Sequence, residues 1–238
     1  MKNSENPDDL QFKNENPGSV KFGNFINYYK FHPPEQRTEH LPLDLWYSEK
    51  NCKQVLLDVG CNAGNLTKSI YDVFNESLST NTDILGIDID PELIKRAKES
   101  YECNNIQFKT MNIMEESSDL KDFLDKHSID QFTTTFCFSV TMWIHLNYGD
   151  DGLKKFLWNL SKLSKILVIE PQPYKCYKEA VKRLKSSKEE FSFFKDLKIR
   201  QTVEEVIEKY LLNHCHMTKI YESERISWGR KLLCFKSS

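Results

Sequence analysis

The nine residues 58-DVGCNAGNL-66 follow directly on the apolar run 55-VLL-57, and they combine an acidic side chain with two glycines. In doubly wound α/β folds, the first strand-to-helix turn of this kind lies under a bound nucleotide. Gly60 would let the main chain approach a ligand without a Cβ in the way. Asp58 can organise the turn by accepting backbone N–H groups. These residue types predict a ligand-binding turn.

The side chains around this turn narrow down its ligand. A pyrophosphate needs the pattern G-x-G-x-x-G, but Asn62 and Asn65 stand at the second and third glycine places. S-adenosylmethionine has no phosphates and needs no such glycines. Asp88 ends the second strand 24 residues after Gly64, where a carboxylate accepts hydrogen bonds from ribose hydroxyls. The turn therefore favours S-adenosylmethionine over a dinucleotide, and Asn112-Ile113 after the third strand could bracket its adenine.

Candidate residues for an acceptor follow the fourth and fifth strands. In 138-FSVTMWIHLNYGDDG-152, a loop is expected to delay the next helix, and it contains Trp143, His145, Asn147 and Tyr148. The fifth strand ends in 170-EPQPY-174, where two prolines place Glu170 and Gln172 on a rigid exit. Unpaired polar groups are costly at a strand end, which favours a use for the loop side chains. The rigidly placed carboxylate and amide suit recognition of a base edge or a sugar hydroxyl. A satisfied structural histidine and a merely stiff strand end are comparable alternatives.

The helix after the fifth strand carries a basic stripe. Its members Lys175, Lys178, Lys182 and Lys185 share one helix face at spacings i, i+3, i+7 and i+10. The whole chain has a net charge of −2, so no global field draws it to nucleic acid. The stripe is the best candidate for contact with a phosphate backbone, and a merely solvated face is the alternative.

Alternating strands and helices must position these residues. The predicted strands are 55–60, 84–88, 106–113, 132–140, 165–171, 217–223 and 230–237, and the main helices are 65–77, 91–101, 149–164, 174–187 and 202–215. Five β/α units and a terminal hairpin predict an α/β, Rossmann-like fold whose seven-stranded sheet is mainly parallel, with an antiparallel C-terminal strand. Together with a turn that favours S-adenosylmethionine, this pattern predicts the class I methyltransferase fold.

The chain has 238 residues, enough for one such domain. Residues 1–20 are polar and aperiodic, which predicts a disordered tail before a single domain over 21–238. Residues 21–40 form an aromatic arm that covers either the core or a ligand. The seven scattered cysteines include no CxxC pair, which indicates reduced thiols in the cytoplasm or nucleus and no metal site. We expect no membrane span, and a monomer.

Four segments resemble the bicoid-interacting-3 family of RNA methyltransferases. They are 22-FGNFINYYKFHPPEQR-37, 58-DVGCNAGNL-66, 139-SVTMWIHLNYGDDGL-153 and 170-EPQPYKCY-177. The segment FHPPEQR is similar to the branch that methylates RNA 5′-monophosphates, among them histidine tRNA and a microRNA precursor. The other branch methylates the γ-phosphate of 5′-triphosphate RNA. This chain departs from the first branch at Asn112, where aspartate is usual, and at Tyr174, where tryptophan is usual.

The resemblance implies a set of site residues. S-adenosylmethionine would be contacted by Arg37, Asn62, Asp88, Asn112, Ile113 and Phe138, with Asp58, Gly60 and Gly64 shaping the turn. Arg37 would pair with the methionine carboxylate. The acceptor phosphate would be held by Tyr28 or Tyr29, Lys30 and His145, with Glu170 and Gln172 orienting the terminal nucleotide. S-adenosylhomocysteine would be the product.

The acceptor is the open part of this interpretation. Methyl transfer to a 5′-terminal monophosphate is the main hypothesis, and γ-phosphate capping of triphosphate RNA is the alternative most similar to it. A small-molecule O- or N-methyltransferase would fit the same donor turn and would need no basic stripe. A non-catalytic RNA-binding subunit with a vestigial donor pocket is the third possibility.

Overall fold

The computed structural model of the chain describes residues 21–49, 52–186 and 188–237. Within these ranges the helices are α1 (Tyr28–Phe31), α2 (Glu35–Thr38), α3 (Asn65–Glu76), α4 (Pro91–Tyr101), α5 (Asp119–Lys126), α6 (Thr141–Leu163), α7 (Tyr174–Ser186) and α8 (Val203–Asn213), with a 3-10 helix over Leu43–Glu49. The strands are β1 (Lys53–Val59), β2 (Asn81–Asp88), β3 (Ile106–Thr110), β4 (Phe132–Phe138), β5 (Ser164–Glu170), β6 (Thr218–Glu222) and β7 (Leu233–Lys236). The predicted tail, 1–20, lies outside the described residues.

The described strands form one sheet of seven strands in the order β3-β2-β1-β4-β5-β7-β6. The strands from β1 to β5 pair in parallel, and β7 is antiparallel to both of its neighbours. Strand order therefore reverses between β1 and β4, which makes the carboxyl ends of these two strands the expected place for a ligand. The predicted fold class is confirmed.

The central strand β1 carries apolar side chains on both faces, so helices can pack on both sides of the sheet. Its residues from Gln54 to Val59 are all buried. Alternate side chains point to opposite faces of a strand, so Val55 and Leu57 join one apolar cluster while Leu56 joins the other. The second cluster includes Phe74 of α3. Both faces of the sheet are covered, as a parallel sheet requires.

Helix α6 is the main departure from the predicted elements. We expected a loop after the fourth strand and a helix from residue 149, but the structure begins the helix at Thr141. Gly149 interrupts it with φ 72° and ψ −174°, a left-handed φ that glycine adopts without strain. The predicted loop is therefore a helical segment that ends in a kink. The buried positions before Gly149 include Met142, Ile144 and Leu146, so packing stabilises the segment.

Other boundaries differ by a few residues. β2 begins at Asn81 rather than at residue 84, and β3 ends at Thr110 rather than at residue 113. In the part of the chain that the structure describes, no helix is both long enough and apolar enough to span a bilayer.

Candidate active site

The turn after β1 has an unusual backbone conformation at three of its residues. Gly60 (φ 76°), Asn62 (φ 53°) and Gly64 (φ 81°) all have left-handed φ values. Asparagine tolerates this region better than most residues, which explains how Asn62 stands where a glycine is usual. A Cβ on Gly60 would lie 2.4 Å from Val140 Cγ2. The turn therefore needs a glycine at position 60, both for its φ and for its close packing.

Two buried carboxylates support the turn. Asp58 Oδ2 accepts a 2.6 Å hydrogen bond from the Thr67 hydroxyl. Asp88 accepts backbone N–H groups of Asn62 and Asp90, at 2.9 and 3.0 Å. Burial raises the pKa of Asp58 and of Asp88 to about 6 in each case, because the charged form loses water. Both carboxyl groups therefore take up a proton at a higher pH than an exposed aspartate would.

A cavity of about 910 Å³, counting its open mouth, lies over this turn, and we call it the turn cavity. It is lined by eight of the predicted cofactor residues: Arg37, Asp58, Gly60, Asn62, Asp88, Asn112, Ile113 and Phe138. Gly64 does not line it. A Cβ on Gly64 would lie 2.8 Å from the Phe108 ring, so this glycine serves the packing where α3 begins.

The aromatic arm, residues 21–40, closes one side of the turn cavity. Asn62 Nδ2 donates to the carbonyl of Phe25 at 3.0 Å, and the Tyr29 hydroxyl donates to the carbonyl of Cys61 at 3.2 Å. Asn24 Nδ2 donates to Asp90 Oδ2 at 2.6 Å. The arm is thus attached to the same turn and strand ends that form the floor of the cavity.

Arg37, which belongs to the arm, is a buried charge at the centre of the site. It is fully buried, and its Nε donates to Glu170 Oε2 at 2.8 Å while its Nη2 donates to the Tyr28 hydroxyl at 2.7 Å. Arg230 Nη1 donates to the other oxygen of Glu170 at 2.9 Å. Burial alone would raise the pKa of Glu170, but the two guanidinium groups hold it below its usual value. Glu170 therefore stays ionised between two cations, and the hydroxyl of Ser139 bonds to all three groups.

The residues of the turn cavity fit S-adenosylmethionine. Arg37 Nη1 is buried and has no hydrogen-bond partner among the described residues, and a methionine carboxylate would supply one. Asp88 lines the cavity with an oxygen at the position for ribose hydroxyls. The bare backbone at Gly60 leaves room for the ligand to approach closely. When bound, this cofactor supplies a methyl group on a sulfonium.

A second, larger cavity of about 1500 Å³ adjoins the first. We call it the basic cavity because its charged lining residues are Lys175, Arg183, Arg230 and Glu179, three cations against one anion. Tyr28, Ser139 and Trp143 line both cavities. A donor in one cavity and an acceptor in the other would therefore meet at these three residues.

The basic stripe predicted on α7 is placed differently by the structure. The helix face that lines the basic cavity comprises Lys175, Cys176, Glu179, Ala180 and Arg183, at spacings of about one turn. Lys178, Lys182 and Lys185 are exposed and do not line the cavity, and Lys178 Nζ lies 5.5 Å from the centre of the Tyr174 ring. Of the stripe, only Lys175 is on the cavity face. The buried side chains of Tyr177 and Leu184 decide this rotation of the helix.

The predicted role of His145 as a phosphate-binding residue does not fit the structure. His145 is fully buried in α6 and lines neither cavity. Its Nε2 lies 2.7 Å from Asp150 Oδ1 and its Nδ1 lies 3.0 Å from the Tyr177 hydroxyl, so both ring nitrogens are occupied. Burial lowers the pKa of His145, although Asp150 opposes the shift. We therefore reassign His145 to the packing of α6 across its kink.

The other predicted acceptor residues fall into three groups. Tyr28 lines both cavities, and Tyr29 lines the turn cavity. Lys30 is exposed and lines neither. Glu170 is buried beneath Arg37, so it orients arginines rather than a nucleotide. Gln172 lines the basic cavity, but its amide already bonds to the main chain of Ser139 and Met142, so it too is a positioning residue.

Sequence reasoning missed Trp228 and Arg230 as cavity-lining residues. Both belong to 226-ISWGR-230, in which an aromatic and a basic residue flank Gly229. That combination beside a turn-forming glycine is a usable signal for an anion site. Within the described ranges, no three His, Cys, Asp or Glu side chains are grouped so that they could hold a metal ion.

Comparison with known proteins agrees with this geometry. The family model "Bicoid-interacting protein 3 (Bin3)" matches residues 132–237, and a general methyltransferase-domain model matches residues 56–162. A pre-miRNA 5′-monophosphate methyltransferase of Xenopus laevis is 41% identical, over 92% of this chain and 93% of its own length. An RNA 5′-monophosphate methyltransferase of Homo sapiens is 39% identical, over 93% of this chain and 82% of its own length.

Solved structures support the fold. The N-methyltransferase NodS from Bradyrhizobium japonicum WM9 superposes with a TM-score of 0.55 at 15% identity, over 87% of this chain and 98% of that one. A second NodS structure, in complex with S-adenosylhomocysteine, superposes with a TM-score of 0.54 at 15% identity, over 88% of this chain and 90% of that one. With its sheet order, its turn cavity and these relatives, the chain belongs to the bicoid-interacting protein 3 family of S-adenosylmethionine-dependent methyltransferases.

Proposed function

We propose that this protein methylates the 5′-terminal monophosphate of small RNA. The observation that carries the proposal is the basic cavity, which adjoins the turn cavity and is lined by three cations against one anion. A neutral small acceptor would have no use for this excess of positive charge, whereas a terminal phosphate would. The names of the Xenopus and human relatives point to the same acceptor.

The reaction needs little proton chemistry from the protein. The second pKa of a phosphate monoester is about 6, so its oxygens are mostly deprotonated at neutral pH and can attack a methyl group directly. The burial of His145 away from both cavities is consistent with a mechanism that uses no general base. The protein would contribute alignment instead, which is worth up to about 7–11 kcal/mol in well-oriented reactions.

The shared wall between the cavities would provide that alignment. Tyr28 hydrogen-bonds to Ser139 at 2.8 Å and accepts from Arg37, so its ring and hydroxyl are fixed where the two cavities meet. Trp143 packs edge-on against Phe25 of the arm, with ring centres 5.7 Å apart. These rigid groups would hold the reacting atoms in line and exclude water from between them.

The finer identity of the RNA is a further part of the proposal. Histidine tRNA and microRNA precursors are the substrates that we propose, on the basis of the resemblance of FHPPEQR to the monophosphate branch. We also propose a cytoplasmic location with a nuclear fraction, and a monomer. All seven cysteines are free thiols, which is typical of proteins in these compartments.

The test uses three RNAs of one sequence that carry a 5′-monophosphate, a 5′-hydroxyl or a 5′-triphosphate. Purified protein is incubated with each RNA and with S-adenosylmethionine labelled in its methyl group. We expect label on the monophosphate RNA alone, and none after phosphatase treatment of the substrate. Label on the triphosphate RNA alone would indicate γ-phosphate capping. RNA binding without any transfer would indicate a vestigial donor site.

A further inference from the structure

A tight loop, residues 226–230, forms one wall of the basic cavity. The backbone N–H of Ile226 donates to the carbonyl of Arg230, and the N–H of Gly229 donates to the carbonyl of Ile226, both at 2.7 Å. Gly229 has a φ of 77°, which a side chain would strain. The loop is therefore rigid, and it presents Trp228 and Arg230 to the cavity.

Each of these two side chains carries a buried nitrogen that can donate a hydrogen bond. Trp228 Nε1 and Arg230 Nε have no hydrogen-bond partner in the described part of the chain. Folded proteins leave few buried donors unpaired, and each such atom calls for an explanation. The residues concerned line one cavity from neighbouring positions of one loop, so a single bound acceptor group would explain both.

Lys175 brings a third donor to the same place. A Cβ on Gly229 would lie 3.0 Å from Lys175 Nζ, so the ammonium group packs against the bare backbone of the loop. His32, which also lines the cavity, adds no charge at neutral pH. Burial, helped by Arg230 and Arg37, lowers the pKa of His32 to about 4. The positive charge at the loop therefore comes from Lys175 and Arg230.

Arg230 is held in place by its ion pair with Glu170. Its side chain is 11% exposed, and its Nη1 is occupied by Glu170, which leaves Nε for a ligand. The same carboxylate binds Arg37 of the turn cavity. Glu170 thus fixes the distance between the donor site and the loop, as an in-line transfer would require.

We propose that the 5′-terminal phosphate of the acceptor RNA binds to the Trp228 indole N–H, the Arg230 guanidinium and the Lys175 ammonium group. This inference rests on the proposed function and assigns the phosphate site within it. The ligand chemistry is a dianionic phosphate with several acceptor oxygens, which suits one neutral and two charged donors. The site differs from the set of Lys30 and His145 that the sequence suggested.

The experiment measures binding of two short fluorescent RNAs, identical except for a 5′-phosphate or a 5′-hydroxyl, with S-adenosylhomocysteine present. Trp228→Phe keeps the packing of the ring and removes only the N–H. Trp158→Phe, on the exposed side of α6, is its matched control. Lys175→Ala is compared with Lys155→Ala, an exposed lysine of α6.

We expect wild-type protein to prefer the phosphorylated RNA, and Trp228→Phe and Lys175→Ala each to lose about 10-fold of that preference. Affinity for the 5′-hydroxyl RNA should stay the same, and both controls should behave as wild type. If the two variants keep the full preference, or weaken both RNAs equally, the phosphate site is elsewhere. If wild-type protein itself shows no preference, the proposed function fails and not merely this assignment. Since Lys175 is exposed, its variant remains informative even if Trp228→Phe folds poorly.

Discussion

The turn cavity and the basic cavity are built in different ways. The turn cavity lies on the carboxyl ends of β1, β2 and β3, and much of its shape comes from main chain with left-handed φ values. The basic cavity is assembled from side chains of the arm, of α6 and α7, and of the 226–230 loop. These segments are far apart in sequence, since Ser139 and Arg230, for example, are 91 residues apart.

The turn cavity is thus a product of the fold, whereas the basic cavity is a product of particular side chains. A parallel sheet with its order reversed beside β1 produces a donor site wherever the first turn permits it. The basic cavity, which we propose as the acceptor site, requires several segments that are far apart in sequence to meet. The two sites are joined at Glu170, which binds Arg37 on one side and Arg230 on the other.

Replacing Glu170, which binds an arginine of each cavity, should have the largest effect on stability and binding. In Glu170→Gln, two largely buried arginines would lose their shared counter-charge, which costs about 3–5 kcal/mol of unfolding free energy. Affinity for S-adenosylhomocysteine and the preference for a 5′-phosphate should fall together. Urea unfolding and calorimetry measure the two effects.

A surface carboxylate provides the control for this substitution. Glu222 pairs with Lys219 and Lys231 and has a side chain that is 36% exposed. Exposed pairs contribute at most about 1 kcal/mol, so Glu222→Gln should change little. Equal urea midpoints for the two variants would show that Glu170 does not join the cavities.

His145 provides the next largest effect, and it should fall on stability alone. His145→Ala would lose two buried hydrogen bonds and leave a cavity in α6, at a cost of about 2–3 kcal/mol. Cofactor affinity and phosphate preference should remain, because His145 lines neither cavity. His214, exposed at the end of α8, is the matched control. Lost turnover at full stability would restore a catalytic role for His145.

Asp88 should make cofactor binding depend on pH. Burial raises its pKa to about 6, and the neighbouring charge of Asp90 contributes. Only the ionised form can accept hydrogen bonds from both ribose hydroxyls, so binding must release the proton and affinity must fall as pH falls below about 6, by up to about 10-fold per pH unit. Calorimetry with S-adenosylhomocysteine between about pH 5 and pH 8 measures this.

Two variants separate the contributions of the buried carboxyl groups. Asp88→Asn should weaken binding at neutral pH by about 10-fold and flatten the pH dependence that remains. Asp58 also has a pKa of about 6 and lines the same cavity, so Asp58→Asn is the comparison. If Asp88→Asn bound the cofactor like wild type, the ribose assignment would be wrong.

The contrast between the cavities also explains what the sequence could predict. The donor turn is a local pattern, so Asp58, Gly60 and Asp88 could be identified as its residues before any contact was known. The prediction also placed Gly64 in the cofactor site, but Gly64 does not line the turn cavity. A glycine that begins a helix has the same local signature as one that approaches a ligand, so the sequence pattern does not distinguish the two.

The basic cavity depends on tertiary packing that no short pattern contains. Residues 141–148 were predicted to be a loop because their polar and aromatic side chains suggested a site. In the structure these residues are helical, because several of their side chains are buried, and the helix is interrupted at Gly149. The burial of Tyr177 determines which face of α7 lines the basic cavity. The 226–230 loop reaches the cavity because the strand that follows it, β7, lies beside β5 in the sheet.

The smallest expected effect concerns the exposed lysines of α7. Lys182→Ala removes an exposed charge that does not line the basic cavity, so RNA affinity should change by less than about twofold and the dependence of log affinity on log salt should keep its slope. Fluorescence anisotropy over a salt series measures both quantities, with Lys175→Ala as the variant that should respond. Because each lost phosphate contact lowers the slope by about 0.7 for single strands, such a change in Lys182→Ala would show that RNA also lies along the outer face of α7.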